Sequence, residues 1–361
     1  MKAAFTLLSL ILILTSCNKK PETKLKARDY SKVEIQVLLQ DSLLNVRALE
    51  VHKSIDACVF LTSNGNFGSI NNEKSDYTKF KRPIILYPIS LNQDSIVYNF
   101  RSMAVTKNKG IGLTIGSPAY LLDINVDKPK AEILYQENHP KAFYDSMDFW
   151  NDQEGIAIGD AIDGCISVII TRDGGETWTK LTCDQLPKAT ENEGAFAASD
   201  TNIAIIGNKT WVATTAGRVY YSADKGETWE VFNTPIVSEK ETEGIYSIHF
   251  YDEENGFAIG GDYTNPDDNA ANKILTKDGG KTWELVATNQ NPGYRSCVQY
   301  IPNSKAKELV AIGFKGIDYS NDGGYNWKHL SDEGFYTIRF VNDSIAYAAG
   351  NGRIAKLSFR E

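Results

Sequence analysis

The segment Thr171-Arg-Asp-Gly-Gly-Glu-Thr-Trp178 is the first of four similar segments in this chain of 361 residues, and the three later segments repeat its pattern without gaps. Each copy has Ser or Thr at its first position, Asp at the third, Gly at the fifth and Trp at the eighth. The four copies are Thr171–Trp178, Ser222–Trp229, Thr276–Trp283 and Ser320–Trp327. The Asp can accept amide hydrogen bonds within a turn, the Gly takes a backbone conformation that other residues resist, and the Trp is expected to pack beneath a hairpin.

The repeated acidic and aromatic residues are predicted to be structural. Hairpins of this kind lie on the outer rim of a fold and far apart, so their carboxylates are not expected to act together in catalysis or metal binding. The residues assigned to this structural role are Asp173, Trp178, Asp224, Trp229, Asp278, Trp283, Asp322 and Trp327. No metal site is predicted.

A second repeat precedes the first. It consists of a strand-like run that ends in an aromatic residue, followed by a run of small residues that ends in Gly, as in Tyr246–Phe250 and Gly256–Gly260. Runs of this kind open at Arg47, Arg101, Asp145, Phe196, Tyr246, Arg295 and Tyr336. The openings recur about every 50 residues, which fits one four-stranded blade each, so the sequence predicts an all-β fold, a seven-bladed β-propeller.

The body of the chain, residues 33–361, is predicted to be a single propeller domain. Its blades are expected to begin near residues 45, 99, 143, 194, 244, 293 and 335. The seventh unit supplies only three strand-like runs. The segment Val33–Leu39 alternates like a strand and is predicted to supply the missing outer strand, which closes the ring by pairing the two ends.

The N-terminal segment predicts the compartment. Lys2 precedes an apolar run, Ala3–Leu14, which has the length of a signal-peptide core and is too short for an ordinary spanning helix. The sequence Leu14-Thr15-Ser16-Cys17 resembles the lipobox of bacterial lipoproteins, in which the Cys thiol receives a diacylglycerol. This resemblance implies a signal peptide over residues 1–16, a lipid on Cys17 and a flexible tether over residues 17–32. The alternative is a secretory peptide with an incidental Cys.

A lipid on Cys17 implies a protein of the bacterial cell envelope that is anchored to a membrane and is periplasmic or associated with the outer membrane. The formal charge of -8, from 46 acidic and 38 basic residues, argues against a nucleic-acid partner. A hydrophobic content of 42% is too high for a disordered chain. We expect the domain to be a monomer.

Together, the lipobox, the small-residue second strands and the Asp-Gly-Gly-x-Thr-Trp hairpins resemble the photosystem II assembly factor-like branch of Asp-box propellers. The Asp-box is also called the bacterial neuraminidase repeat. That family includes many bacterial lipoproteins, and the resemblance implies a scaffold for binding or assembly. Sialidases and some endoglucanases share the hairpin, but this sequence lacks a recognisable Phe/Tyr-Arg-Ile-Pro motif of sialidases.

Residues at the seven openings are predicted to form a ring at one mouth of the central channel, because the innermost strands of all blades begin there. Arg47, Arg101 and Arg295 stand at equivalent positions, and their planar guanidinium groups could bind one anionic ligand. The other residues assigned to this mouth are Asp145, Phe196, Tyr246 and Tyr336 at the openings, with Asp160 and Asp262 in adjoining loops. The alternative is that each Arg stacks on an aromatic neighbour or pairs with an acidic one.

Two functions are compatible with this mouth. The first is a binding or assembly scaffold without catalytic turnover, whose partner is an envelope protein or an anionic glycan. The second is a hydrolase of the sialidase or glycosidase kind, in which the three arginines hold a substrate carboxylate. Tyr246 or Tyr336 would then act with Asp145 or Asp262 as nucleophile and acid. No metal-binding His pair, nucleophile elbow, Walker loop or dinucleotide fingerprint occurs in the sequence, so no cofactor is predicted.

Two cysteines allow alternative interpretations. Cys165 and Cys183 flank one predicted hairpin and could form a disulfide, although a small shift in register would place them on opposite faces. Cys297 lies on a predicted inner strand and is interpreted as a small buried hydrophobic residue.

Overall fold

The computed structural model describes residues 28–52, 57–71, 84–91, 96–124 and 131–361. Within these ranges every regular element is a β-strand, which confirms the all-β prediction. The same ranges contain no apolar helix that could span a membrane. The predicted signal peptide, the lipidated Cys17 and the tether up to residue 27 lie outside the described residues.

The strands are numbered β1 to β27 in chain order. The first twelve are β1 Lys32–His52, β2 Ala57–Thr62, β3 Asn66–Asn71, β4 Ile84–Pro88, β5 Phe100–Val105, β6 Gly110–Thr114, β7 Ala119–Ile124, β8 Glu132–Glu137, β9 Tyr144–Phe149, β10 Gly155–Ile162, β11 Cys165–Thr171 and β12 Thr179–Lys180. The others are β13 Ile203–Ile206, β14 Lys209–Ala213, β15 Arg218–Ser222, β16 Glu230–Asn233, β17 Ile245–Phe250, β18 Gly256–Gly260, β19 Lys273–Thr276, β20 Glu284–Leu285, β21 Cys297–Tyr300, β22 Leu309–Gly313, β23 Gly316–Ser320, β24 Lys328–Ser331, β25 Thr337–Phe340, β26 Ile345–Ala349 and β27 Asn351–Arg360. β-Branched and aromatic residues are common in these strands because they suit a pleated, buried surface.

The strands of the described ranges form antiparallel sheets in which neighbours along the chain are also neighbours in space. Five sheets have four strands each, namely β5–β8, β9–β12, β13–β16, β17–β20 and β21–β24. The remaining sheet has seven strands in the order β25, β26, β27, β1, β2, β3, β4. It joins the start of the described chain to its end.

Strand β1 belongs to two groups of strands within the seven-stranded sheet. Residues 32–40 pair with β27, and residues 46–52 pair with β2. The register of the pairing with β27 shifts between Gln40 and Asn45, and this irregular segment separates the two parts. The first part is therefore the outer strand of the last group, and the second part is the first strand of the next group.

The first strands of the sheets surround a common axis. They contact one another in the order β1, β5, β9, β13, β17, β21 and β25, and β25 contacts β1 again, which closes the ring. Each first strand starts at the same end of this axis, because the chain returns there after every four antiparallel strands. We call the end where the first strands begin the upper mouth, and the end where they finish the lower mouth.

The hydrophobic core lies between adjacent sheets. In one interface Trp211 stacks on Phe250 with their ring centroids 3.7 Å apart, and the buried Trp283 meets the edge of Phe250 at 6.0 Å. Gly256 leaves room for this packing, since a Cβ at that position would lie 2.5 Å from the Phe250 ring. Close packing of this kind stabilises each sheet against the next.

The four repeated segments form turns with one hydrogen-bond pattern, shown here for the third copy. The Thr276 hydroxyl accepts the Gly280 N–H at 2.9 Å, and the Asp278 carboxylate accepts the Thr282 N–H at 3.0 Å. The Trp283 indole donates to the Gly280 carbonyl at 2.9 Å. Gly280 has a φ of +83°, a left-handed conformation that favours glycine. The same three bonds occur in the other copies.

The fourth sheet begins later than the sequence predicts. The expected opening is at Phe196, near residue 194, but strand β13 begins at Ile203. Residues 196–202, which we call the plug, fill the channel instead. The Ser199 hydroxyl donates to the carbonyl of Ser296 at 2.6 Å, and the Thr337 hydroxyl donates to the carbonyl of Ser199 at 2.8 Å.

Further bonds hold the plug from other sides of the ring. The Asp200 carboxylate accepts the Met103 N–H at 3.2 Å, and the Asp200 carbonyl accepts a bond from Arg339 at 3.0 Å. The Thr201 carbonyl accepts the Ile248 N–H at 2.9 Å. Because the plug bonds to strands on several sides, it separates the upper mouth from the lower mouth.

We predict that a chain beginning at Asp41 is less stable than one beginning at Arg28. The shorter chain leaves the edge of β27 unpaired and uncovers apolar side chains near Val33 and Ile35, so its free energy of unfolding should fall by more than about 3 kcal/mol. Urea unfolding and size-exclusion chromatography measure the two effects. Equal unfolding midpoints and equally monomeric behaviour would show that this pairing does not stabilise the ring.

Candidate functional site

The upper mouth contains a cavity of about 390 Å³. Five of the residues predicted at the seven openings line it, namely Arg47, Arg101, Phe196, Tyr246 and Tyr336. The remaining lining residues are Phe143, Ala197, Ala198, Tyr263, Tyr294, Ser296 and Phe314. Residues from several sheets and from the plug therefore meet in one place, and no Asp or Glu of the described chain is among them.

Arg47 is held at the cavity wall by an aromatic ring. Its guanidinium carbon lies 4.2 Å from the centre of the Tyr336 ring, a cation–π contact, and one of its nitrogens donates to the side chain of Asn45. Burial lowers the pKa of Arg47 below its usual value. Within the described chain no carboxylate offsets its charge.

Arg101 is also without a counter-ion among the described residues. Its Nη1 atom is buried and has no hydrogen-bond partner there. Burial, together with the nearby positive charge of Arg47, lowers the pKa of Arg101 to about 10. Two neighbouring guanidinium groups that lack an acidic partner form a site that an anion would stabilise, because a bound carboxylate would supply the missing charge and acceptors.

Aromatic side chains form the rest of the wall. Phe196 stacks on Tyr246 with their ring centroids 3.6 Å apart. Tyr246 in turn makes an edge-to-face contact with Tyr294, with the ring centroids 4.7 Å apart. Tyr263 and Phe314 extend this wall to the surface, where they are 48% and 42% exposed. Exposed aromatic groups beside charged donors are typical of surfaces that bind peptides or other proteins.

The structure does not bring Arg295 into the cavity. Its Nε and Nη2 atoms lie 2.7 and 2.6 Å from the carboxylate of Asp318, and its Nη1 atom donates to the carbonyl of Tyr294 at 2.7 Å. Both charged side chains are buried. For this arginine, pairing with an acidic neighbour is therefore correct, and the shared triad of arginines is wrong.

The predicted acidic residues also lie outside the cavity lining. Asp145 is fully buried, and its carboxylate has no hydrogen-bond partner among the described residues, so burial, with a smaller effect from Asp160, raises its pKa well above its usual value. Asp160 accepts the Ala195 N–H at 3.3 Å, and burial raises its pKa to about 6. Asp262 accepts bonds from Thr264, which lower its pKa to about 2. None of them is placed as a catalytic acid in the cavity.

Sequence reasoning missed several aromatic lining residues. Phe143 and Tyr294 lie shortly before the first strands of their sheets. Their place next to the predicted openings could have identified them as lining residues. Phe314 and Tyr263 lie in loops after second strands, where no repeat marks them.

The structure contains the disulfide that the sequence left open. Cys165 and Cys183 form a disulfide with their Cα atoms 5.4 Å apart, which ties the β10–β11 hairpin to the loop after β12. Cys297 is buried, as predicted.

Comparison with known proteins supports the fold. The sequence model of the family described as Sortilin, neurotensin receptor 3, matches residues 166–312. Comparison with curated proteins finds no match. Among solved structures, YCF48 bound to D1 peptide is similar with a TM-score of 0.60 and 15% identity over 95% of this chain and 100% of that chain. The RRP9 WD40 repeats match with a TM-score of 0.62 and 12% identity over 93% of this chain and 99% of that chain. The Neurospora crassa Pan2 WD40 domain matches with a TM-score of 0.61 and 10% identity over 93% and 98%. At these identities the likeness shows the fold alone, and the chain is a β-propeller.

We predict opposite effects on stability for two arginine substitutions. Arg295→Leu leaves the buried Asp318 carboxylate without its main partner and should lower the free energy of unfolding by about 3–5 kcal/mol. Arg101→Leu removes a charge that has no counter-ion and should leave stability unchanged or increased. Urea unfolding at neutral pH measures both. A loss at Arg101 as large as that at Arg295 would mean that Arg101 is structural.

Proposed function

We propose that this protein is a binding and assembly scaffold that holds a carboxylate-bearing segment of a partner protein in its upper mouth. The observation that carries the proposal is the pair of arginines without a counter-ion, Arg47 and Arg101. A buried charge destabilises a fold unless it is paired, so a site that keeps two such charges is explained by a ligand that pairs them.

The aromatic wall favours a protein segment over a glycan as the ligand. Exposed Tyr263 and Phe314 offer apolar area that would pack against side chains next to the bound carboxylate. The similar structure is of YCF48 bound to D1 peptide, which supports a peptide as the kind of ligand proposed here. The hydrolase alternative gains no support from the cavity, whose described lining has no carboxylate.

We further infer that the domain is a seven-bladed propeller with Asp-box hairpins. The closed contact order of seven first strands supports this blade count, with residues 32–40 as the outer strand of the last blade. The repeated turn bonds support the assignment of Asp173, Asp224, Asp278 and Asp322 as structural residues.

A lipid anchor at Cys17 would be compatible with ligand binding at the upper mouth. The described chain begins at Arg28, whose guanidinium nitrogens lie 2.6 Å from the carboxylate of Glu308 and 2.8 Å from that of Asp343. Both acidic residues lie in loops that follow first strands, at the lower mouth. A tether from a lipidated Cys17 would therefore reach the lower face and leave the upper mouth free for a partner in the cell envelope.

We predict that the Arg47→Gln, Arg101→Gln double variant binds an acidic peptide at least tenfold more weakly than the unaltered protein, because loss of charge-assisted hydrogen bonds costs about 1.5–3 kcal/mol. The probe is a dye-labelled peptide that ends in Glu-Phe with a free carboxylate, and fluorescence anisotropy measures its binding. Capping that carboxylate as an amide should weaken binding to the unaltered protein.

The matched control is Arg172→Gln, an arginine on the outer rim whose substitution should leave binding unchanged. Equal affinity of the double variant and the unaltered protein would contradict the proposal. Release of product from a sialoside or glycoside panel by the unaltered protein would favour the hydrolase instead.

A further inference from the structure

A second cavity, of about 440 Å³ and with a polar lining, lies at the lower mouth, on the opposite side of the plug from the upper cavity. Its polar lining comes from the ends of first strands and from the plug, namely Glu50, Asp148, Asp200, Thr201, His249, Gln299 and Arg339. Neither the repeats nor the function proposed for the upper mouth assigns a role to this group.

Carboxyl groups outnumber cations in this cavity. Among the described residues, Arg339 supplies the one guanidinium that lines the cavity, and its Nε atom donates to Glu50 at 2.9 Å. Its other nitrogens donate to Thr337 at 2.8 Å and to the carbonyl of Asp200 at 3.0 Å. Its Nη2 atom also lies 3.9 Å from the Asp200 carboxylate, so Arg339 faces both Glu50 and Asp200. One positive charge can offset only one of the three carboxyl groups in the described lining, and two remain in excess.

His249 does not supply the missing positive charge. Its Nδ1 atom accepts the Tyr300 N–H at 3.3 Å, so the ring proton of the neutral form lies on Nε2. Burial, reinforced by Arg339, lowers the pKa of His249 to about 4. The imidazole is neutral at physiological pH.

The excess carboxyl groups lack full hydrogen bonding. Asp200 is more than nine-tenths buried, and its Oδ1 atom has no hydrogen-bond partner among the described residues. Asp148 accepts the N–H of Phe149 at 2.7 Å. Burial raises the pKa of Asp148 to about 7, and burial raises that of Asp200 well above its usual value. A cation in the cavity would favour the ionised form of both groups.

The lining indicates which kind of cation fits. The described residues contain no group of three His, Cys, Asp or Glu placed to hold a metal ion. Met103, Met147 and Ile248 provide an apolar wall beside the carboxyl groups, which suits a methylene chain. We propose that the lower cavity binds the ammonium group of an alkylamine, such as a lysine side chain, among Glu50, Asp148 and Asp200.

Binding of the ammonium group displaces a proton from Asp148, whose pKa lies near 7. The charged groups that act on Asp148 are Glu50 and Arg339, while Asp200 and His249 line the same cavity. His249 stays neutral across the relevant range because its pKa is about 4. As pH falls below 7, affinity should therefore decrease by about tenfold per pH unit for each proton released, while the amine itself stays charged.

The test uses isothermal titration calorimetry of the full domain with two probes. Cadaverine represents a free diamine, and Nα-acetyl-lysine amide represents a lysine side chain in a peptide. Saturable binding above pH 7 that weakens on acidification is expected for at least one of them, and their relative affinity distinguishes the two sources. Tetramethylammonium, which has no N–H donor, should bind at least tenfold more weakly.

The diagnostic variant is Asp148→Asn, which keeps the shape of the side chain and its neutral state. It should weaken amine binding about tenfold and flatten the pH dependence. Asp332→Asn, in which the altered carboxylate is fully exposed, is the matched control and should bind like the unaltered protein. The proposal is overturned if neither amine gives saturable binding at millimolar concentration, or if Asp148→Asn binds as tightly as the unaltered protein.

Discussion

The structure depends on the pairing of residues 32–40 with strand β27. This pairing joins the start of the described chain to its end, so the first strands form a closed ring around one axis. Closure removes two sheet edges that would otherwise attract other strands. It also brings together side chains that are far apart in sequence, such as Arg47 and Tyr336, and thereby creates both mouths of the channel.

The two kinds of arginine at the upper mouth show how the same residue type serves stability or binding. Arg295, which lies just before β21, forms an ion pair with Asp318 on β23, so its charge is already offset. Arg47 and Arg101 are partly buried without a carboxylate among the described residues, which weakens the fold. The anionic ligand that we propose would pair these charges. The lower mouth has the opposite imbalance, with excess carboxyl groups. The plug keeps these two environments apart.

The sequence could predict the fold because its turns are local. The Asp278 carboxylate accepts a hydrogen bond from Thr282 within the same segment, so the residues that form the turn recur as a recognisable sequence repeat. Equivalent positions in the repeats also predicted that Arg47 and Arg101 lie at one mouth of the channel, and both residues line the upper cavity. The position of Arg295 could not be predicted in this way, because its partner Asp318 lies on another strand. The plug was missed because residues 196–198 look like the other openings, and only bonds to distant strands show that they fill the channel.

We propose that Arg47 and Arg101 bind an anionic ligand whereas Arg295 does not. Nitrogen-15 NMR of the guanidinium Nε–H groups, recorded during titration with a peptide that ends in a free carboxylate, distinguishes these arginines. We expect saturable shifts at Arg47 and Arg101 and an unchanged signal at Arg295. Unchanged signals at Arg47 and Arg101, with shifts confined to arginines elsewhere on the surface, would contradict the proposal.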